Sequence, residues 1–513
     1  MWYQPLDPLN NLPLSSLVAS APIILLLSLL TAAKLPGYLA ASLSSLAALI
    51  LAHSVWGMPL RLALLSYLYG TLFGLWPISW IVLNAVLFFK LSEEADCLNS
   101  LEAWLTSNVP RDPSLQAILI AFLFSGFVEG LDGYGFPIVV SATLLTRLGF
   151  EPFKAITVSL LANTITVPFA SLGVPLLTLS SVSGLSFKGV SLVASLQLLA
   201  FSLAIPLCML TALGRDRVGL NEGTGIALLS GLSLGSLIVA VTAYLSPALA
   251  GVLSPLAVMA VTVLYFKLSR GGGVRGTDAF KGWMPWVYLI ALISIASSFK
   301  LSKLVRYRLE MPYLHRGIYV SSRGEALSAI YCWEPLSQGT ITLLATLLIL
   351  KTFNLRLSDL KRAFVNSLTQ LKFAIPTIVQ MMGLAFLMNY SGMNYTLGSA
   401  LALTDGYFPF LSAFIGWLGT FVSGSSTGSN ALFGNLQRVA AEALNLPPYV
   451  TVATNSTGGI LGKMVSLQSI VIGTSAVNLS GREGEVLRRL LPYSLVLVLA
   501  LGILATVQVR LFR

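Results

Sequence analysis

Polar and apolar residues fall along this chain in blocks. Apolar runs lie at 15–33, 36–54, 59–76 and 77–92, then at 114–130, 137–149, 152–170 and 188–213. They resume at 225–245, 248–267 and 283–298, and end with 337–353, 373–390, 408–424, 447–464 and 488–509. A helix crosses a bilayer core with about 20 apolar residues. The pattern therefore predicts an all-α polytopic membrane protein of roughly 12–14 transmembrane helices, broken or re-entrant ones included. An acidic stretch (Glu93, Glu94, Asp96, Glu102) separates two groups of runs, and 300–335 is the longest polar excursion. The first fourteen residues hold no Lys or Arg, so the run at 15–33 reads as a permanent span and not a cleaved leader.

Two runs are interrupted where a lipid-facing helix should not be. Residues Gly126 to Pro137 include four glycines, a proline and two carboxylates, and Ser423 to Asn430 are almost wholly small and polar. Irregular backbone at membrane depth is tolerated only when it is buried in protein or lines a wet cavity. The two interruptions resemble each other. Phe127-Val128-Glu129-Gly130 aligns with Phe421-Val422-Ser423-Gly424 at an offset of 294 (424 − 130), and Asn163 aligns with Asn455 at 292 (455 − 163). Apolar runs on either side stay in step. The chain thus divides into N-terminal spans (1–74), a first transport repeat (75–213), connecting spans and loops (214–369) and a second transport repeat (370–513). Whether the repeats are parallel or inverted depends on the parity of the spans between them. Paired, interrupted segments in two halves are the sequence mark of a midplane binding site.

Composition narrows the class. Of 513 residues, 56% are hydrophobic and only 10% charged, with a mean hydropathy of +0.83. A surface that poor in charge must face lipid, since soluble domains carry roughly 25% charged residues. The net charge of +11 does not signal nucleic acid, because the basic residues sit in short tracts between apolar runs. The tracts Lys267, Arg270, Arg275 and Arg356, Lys361, Arg362 are expected on the cytoplasmic side. Lys300, Lys303, Arg306 and Arg308, mixed with Glu310, are assigned no side. Cys97, Cys208 and Cys332 have no metal or disulfide spacing, and His53 and His315 have no partner pattern. The chain lacks a GxxxxGK[ST] loop, which argues against an ATP-driven pump. The glycine-rich stretch interrupts a helix and does not follow a strand, so it is not a dinucleotide fingerprint. No cofactor or metal is expected, and homo-oligomerisation is left open.

The residues that a bilayer should exclude are the candidate site. A carboxylate at membrane depth costs about 2.5–3.5 kcal/mol on insertion scales, so Glu129 and Asp132 either pair, bind a cation or take up a proton; they are the proton-coupling candidates. The competing role is to hold the break together by accepting bonds from its amides. Lys463, in a small-residue apolar stretch, either attracts an anion, neutralises one of those acids, or extends its charged end to the membrane surface. Asn163, Asn430, Asn455, Ser425, Ser426, Thr427, Ser429, Ser456, Thr457 and Gln468 offer amides and hydroxyls. Gly130, Gly133 and Gly135 would expose backbone amides to a substrate. Any single Ser or Thr is equally explained by helix–helix hydrogen bonding.

On these residues the chain resembles the lactate permease family, which takes up lactate and glycolate. The family pattern E-G-A-A-G-F-G-A-P is similar to Glu129 through Pro137. Its G-S-D-T-S-S-N-A-L-F is similar to Gly424 through Phe433, and its N-T-T-G-G-V-T-G-K-M-I-S-P-Q-S-I to Asn455 through Ile470. An early G-L-W-P-I-x-W-I matches Gly74 through Ile81. Order and spacing agree along most of the chain, with 215–340 hard to place. The resemblance implies proton-coupled symport of a small 2-hydroxy monocarboxylate across the cell membrane, with inverted repeats around a midplane site. Alternatives are a sodium-coupled or differently selective organic-anion carrier, a channel, and, less well supported, a membrane-embedded enzyme. The departures are informative. The family has Ala at the position of Asp132 and Asp at the position of Ser426, and these two positions are repeat-related (426 − 132 = 294). The resemblance implies that the acid has moved from one repeat to its pseudo-symmetric partner. Phe136 replaces a small residue and is expected to narrow the pocket.

Overall fold

A computed structural model describes residues 1–108, 112–133, 135–214, 220–269, 279–320 and 324–512. Tyr134, Arg270 and Arg275 lie outside the described residues. A short strand β1 (Trp2–Gln4) precedes α1 (Leu12–Thr31), α2 (Gly37–Ser54) and α3 (Leu60–Phe73). Where two spans were expected at 59–76 and 77–92, one 35-residue helical path, Leu60–Glu94, continues from α3 into α4 (Trp80–Glu94). Pro77 has no amide hydrogen to offer the helical ladder, and Trp76 is extended (φ −136°, ψ 126°), so the path kinks there.

After α5 (Cys97–Asn108), the short α6 (Pro113–Gln116) leads through wide π-type turns at Ala117–Phe124 into α7 (Ser125–Leu131). Of the window of Pro113–Leu131 that is apolar enough to span, 94% is buried inside the protein, against 28% for α1. That places α7 at the centre and α1 on the lipid side. Then come α8 (Phe136–Arg147), α9 (Pro152–Ala162), α10 (Ala170–Ser183), α11 (Phe187–Leu213), α12 (Leu220–Tyr244), α13 (Pro247–Ser269) and α14 (Ala279–Ser298). Past α15 (Leu301–Leu304), the polar excursion holds β2 (Tyr307–Glu310), β3 (Ile318–Val320), β4 (Glu325–Ala326) and β5 (Ile330–Trp333). Strand β3 runs parallel to β1, with Tyr319 opposite Tyr3, and antiparallel to β4. Strands β2 and β5 form an antiparallel pair.

The last third holds α16 (Gln338–Thr352), α17 (Leu357–Leu371), α18 (Ala374–Ser391), α19 (Met393–Ala402) and α20 (Phe408–Ser423). It ends with α21 (Ser426–Ala443), α22 (Pro448–Lys463), α23 (Leu467–Ala476) and α24 (Glu483–Leu511). Among the described residues, nine helical stretches are long and apolar enough to cross a bilayer. The number is up to 11 if two bent pairs, Pro152–Ala162 with Val167–Ser183 (64°) and Leu357–Leu371 with Ala374–Ser391 (49°), each count as one. Apolar runs are more numerous than such spans because some, including α8 and α16, form helices too short to count as spans. The Arg356, Lys361, Arg362 tract, expected in a loop, borders and enters α17. That helix buries Ala363, Ser367 and Leu371 at four-residue spacing while Leu357, Phe364, Val365 and Leu368 stay exposed, the pattern of a helix lying in the membrane interface.

Glycines set the central packing. In α22, a Cβ at Gly458 would lie 2.3 Å from the Ala413 carbonyl oxygen, and one at Gly462 only 2.1 Å from that of Trp417. Helices α20 and α22 therefore approach backbone to backbone through a small-xxx-small face. On the other side of the site, a Cβ at Gly130 would lie 2.4 Å from the Gly251 carbonyl oxygen, so α7 is pressed against α13 in the same way.

Candidate functional site

Helix α7 ends at Leu131. Gly133 and Gly135 then take left-handed conformations (φ 68° and 91°), which residues with a Cβ rarely adopt, and Pro137 starts α8 in its favoured first turn. A second break follows α9. Asn163 closes that helix, Val167–Phe169 make a single 3₁₀ turn, and Ser171, Leu172 and Gly173 all have positive φ (46°, 61° and 85°). Left-handed conformation at a residue with a Cβ costs roughly 1–3 kcal/mol and persists where surroundings impose it, often at functional sites. The two breaks touch. Ser171 Oγ donates to the Asp132 carbonyl oxygen at 2.9 Å, and a Cβ at Gly133 would lie 3.0 Å from both the Ala170 Cβ and Ser171 Oγ.

The far half of the chain completes the centre. Lys463 Nζ donates to Glu129 Oε1 at 2.6 Å across 334 residues of sequence. The Glu129 side chain is fully buried and that of Lys463 is 9% exposed. Glu129 Oε2 has no hydrogen-bond partner among the described residues. Of the three roles open to Lys463, neutralising an acid is the one seen, and the acid is Glu129. Asp132, also buried, accepts from Gln370 Nε2 at 2.8 Å. Gln370 lies on the interfacial helix α17 and escaped the sequence reading because it precedes an apolar run instead of interrupting one.

The amides and hydroxyls separate into distinct groups. Asn430 Nδ2 donates to the Pro175 carbonyl at 2.9 Å and to Ser456 Oγ at 3.1 Å. Asn455 Nδ2 donates to Asn430 Oδ1 at 3.0 Å, and Asn455 Oδ1 accepts from Gln437 Nε2 at 3.3 Å. Thr457 Oγ1 donates to Gln197 Oε1 at 2.6 Å, and Ser429 Oγ to the Gly416 carbonyl at 3.3 Å. These side chains tie α10, α11, α20, α21 and α22 together. Asn163 differs. It is 2% exposed, and neither its Oδ1 nor its Nδ2 has a partner among the described residues. Thr166 Oγ1 and Ser426 Oγ are buried in the same condition.

The break between α20 and α21 is closed by Gly424 (φ 68°) and by Ser425, whose Oγ accepts from the Gly428 amide at 3.1 Å. Gln468, exposed at the start of α23, packs on Gly424, where a Cβ would lie 2.3 Å from its Oε1; Thr427 is half-buried. The first break packs on α23, where a Cβ at Gly135 would lie 2.8 Å from Ile472 Cδ1. Gly130 serves helix packing, as described above. Phe136 stacks edge-on against Phe89 with centroids 5.2 Å apart, with Lys90 Nζ 5.5 Å from its ring centroid. A cavity of about 660 Å³ lies at another place, lined by Gln116, Arg147, Glu151 and Lys154 among others, and includes none of the expected site residues. The burial of both its side chains leaves the Glu129–Lys463 pair closed off from solvent.

A bundle of membrane-spanning helices, broken at its middle around buried charges, defines a multi-pass membrane transport protein. The profile of the L-lactate permease family matches residues 15–512. The chain is 34% identical to the L-lactate permease of Bacillus subtilis (strain 168), over 100% of this chain and 99% of that one. It is 33% identical to the L-lactate permease of Escherichia coli (strain K12), over 99% and 98% of the two chains. It is also 31% identical to the glycolate permease GlcA of Escherichia coli (strain K12), over 100% and 98%. The chain belongs to the L-lactate permease family. It is a transporter of the cell membrane and not an enzyme.

Proposed function

We propose that this protein carries small 2-hydroxy monocarboxylates, such as lactate and glycolate, across the membrane together with a proton, by alternating access. The relatives' names supply the substrate class, and the buried Glu129–Lys463 pair carries the coupling. As paired, the two charges cancel. When Glu129 takes a proton, Lys463 is left as a buried cation without its counter-charge, a state disfavoured by about 3–5 kcal/mol. A substrate carboxylate on Lys463 restores the balance. Anion and proton therefore favour each other's binding, and the coupling is reciprocal. Empty and doubly loaded forms carry the same net charge, so one proton moves with one anion and no charge is translocated.

In this reading 75–213 and 370–513 are two inverted transport repeats, joined by 214–369, with 1–74 as outer spans. Two features support it: each contains a helix broken near the centre, and the ion pair bridges them. Relative movement of the repeats would then open the pair alternately to either side.

The test is uptake of radiolabelled L-lactate by proteoliposomes. An acid-outside pH gradient should drive accumulation, and an imposed sodium gradient alone should not. Accumulation on sodium with none on protons would sink the proton assignment. The Glu129→Gln variant should still exchange labelled for unlabelled lactate yet lose pH-driven accumulation; retained accumulation would clear Glu129 of the coupling role.

A further inference from the structure

Asn163 and Thr166 share one tight turn in the break after α9, and both are buried. Three of their side-chain atoms, Asn163 Oδ1, Asn163 Nδ2 and Thr166 Oγ1, have no partner among the described residues. Buried polar side chains are in large majority hydrogen-bonded, so each exception needs a reason. The contrast with Asn455 is direct, because the sequence pairs the two asparagines at corresponding positions. Asn455 has both its amide functions engaged within the protein.

The turn lies against the charged centre. A Cβ at Gly126, one helical turn before Glu129 on α7, would lie 3.3 Å from Thr166 Cγ2 and 3.4 Å from its Oγ1. The adjoining Val167–Phe169 packs on both α7 and α22, the helices that carry Glu129 and Lys463. Just beyond, Ser171 and Leu172 are held in left-handed conformations, so the turn is imposed by its surroundings.

From this placement we infer that Asn163 and Thr166 recognise the 2-hydroxyl of the substrate while Lys463 holds its carboxylate. The inference rests on the transport reading above. The chemistry of the free groups selects the ligand. An amide offers one acceptor and two donors, and a threonine hydroxyl offers either role. An alcohol both donates and accepts, so it can engage Asn163 Oδ1 and Nδ2 in turn. A sodium ion would use Oδ1 and Thr166 Oγ1 but leave Nδ2 unmatched. A second carboxylate would use Nδ2 and repel Oδ1. A buried site built around a substrate hydroxyl discriminates strongly against the analogue that lacks it, because its own polar groups are then left unpaired.

Propionate is lactate without the hydroxyl, which gives the experiment. Labelled L-lactate uptake into proteoliposomes is competed with unlabelled lactate or propionate. The wild type should prefer lactate by about a hundredfold or more. Asn163→Ala should raise the lactate half-saturation constant and reduce that preference to roughly tenfold or less, with propionate inhibition little changed. Thr166→Val, which keeps the side-chain shape, should reduce it part of the way and carries the test if Asn163→Ala does not fold. Asn430→Ala is the structural control: stability should drop while the preference holds. If Asn163→Ala and Thr166→Val fold and keep the wild-type preference, or weaken both ligands equally, the inference fails. If the wild type takes up neither lactate nor glycolate, the transport reading itself has failed.

Discussion

Lys463 and Glu129 are each untenable alone at the centre of this protein. Their 2.6 Å contact, with both side chains buried, removes two uncompensated charges at once. Breaking a buried pair from one side strands the other charge, which destabilises by about 3–5 kcal/mol, whereas replacing both partners by uncharged groups of similar volume is often neutral. Lys463→Met should therefore lower the melting temperature in detergent markedly, and Glu129→Gln combined with Lys463→Met should recover most of the loss. The double variant should still be inactive in uptake, since it has neither the proton acceptor nor the cation. A double variant as unstable as Lys463→Met would show that the two residues do not compensate each other. Sequence could flag both residues as anomalous at membrane depth. It could not pair them, because the partners lie 334 residues apart and Asp132 was an equal candidate. What separated the two acids was Gln370, which engages Asp132 from a helix end that has no anomaly of its own.

At the scale of helices, glycine decides how close the functional side chains come. Gly462 sits next to Lys463, and a Cβ there would fall 2.1 Å from a backbone oxygen of α20, which cannot move aside as a side chain could. Gly462→Ala should force α20 and α22 apart, with an overpacking penalty of about 1–3 kcal/mol and a loss of uptake as Lys463 leaves Glu129. Gly484→Ala, at the start of α24 with nothing within 4 Å of its added Cβ, should be neutral or stabilise by up to about 1 kcal/mol. Thermal unfolding of the two variants beside the wild type checks this, and equal shifts would remove the close-packing argument. The broken helices were legible because glycines, a proline and carboxylates inside apolar runs contradict a lipid-facing helix. The strands in 300–335 were not. They are two to four residues long, too short for alternation to register, and β3 pairs not only with its neighbour β4 but with β1, near the start of the chain.

Across the whole molecule, the proposed twofold relation between repeats makes a demanding prediction about Asp132. The family pattern that this chain resembles has an acid at the position of Ser426, and this chain has one at 132, 294 residues earlier. If the two positions are pseudo-symmetric, the site needs one such carboxylate and accepts it from either repeat. The local environments are compatible with that. Among the described residues, Asp132 accepts one side-chain hydrogen bond, from Gln370, and Ser426 is buried with its Oγ unpartnered, so position 426, like 132, lies inside the protein and not against lipid. Leaving a buried hydrogen-bond partner unsatisfied costs about 1–3 kcal/mol, so Asp132→Ala, which strands Gln370, should reduce lactate uptake by roughly tenfold. Adding Ser426→Asp should return most of it, although Gln370 then has no acid to hold. The order of events separates this from simple charge counting: Ser426→Asp alone puts two acids at the site beside Glu129 and should impair uptake, so the second substitution helps only when the first is present. Rescue by Ser426→Asp in the absence of Asp132, and harm in its presence, is the signature of one shared carboxylate. A double variant that folds normally and stays inactive would mean that the acid at 132 serves this chain in its own way, through Gln370 and the interfacial helix that carries it.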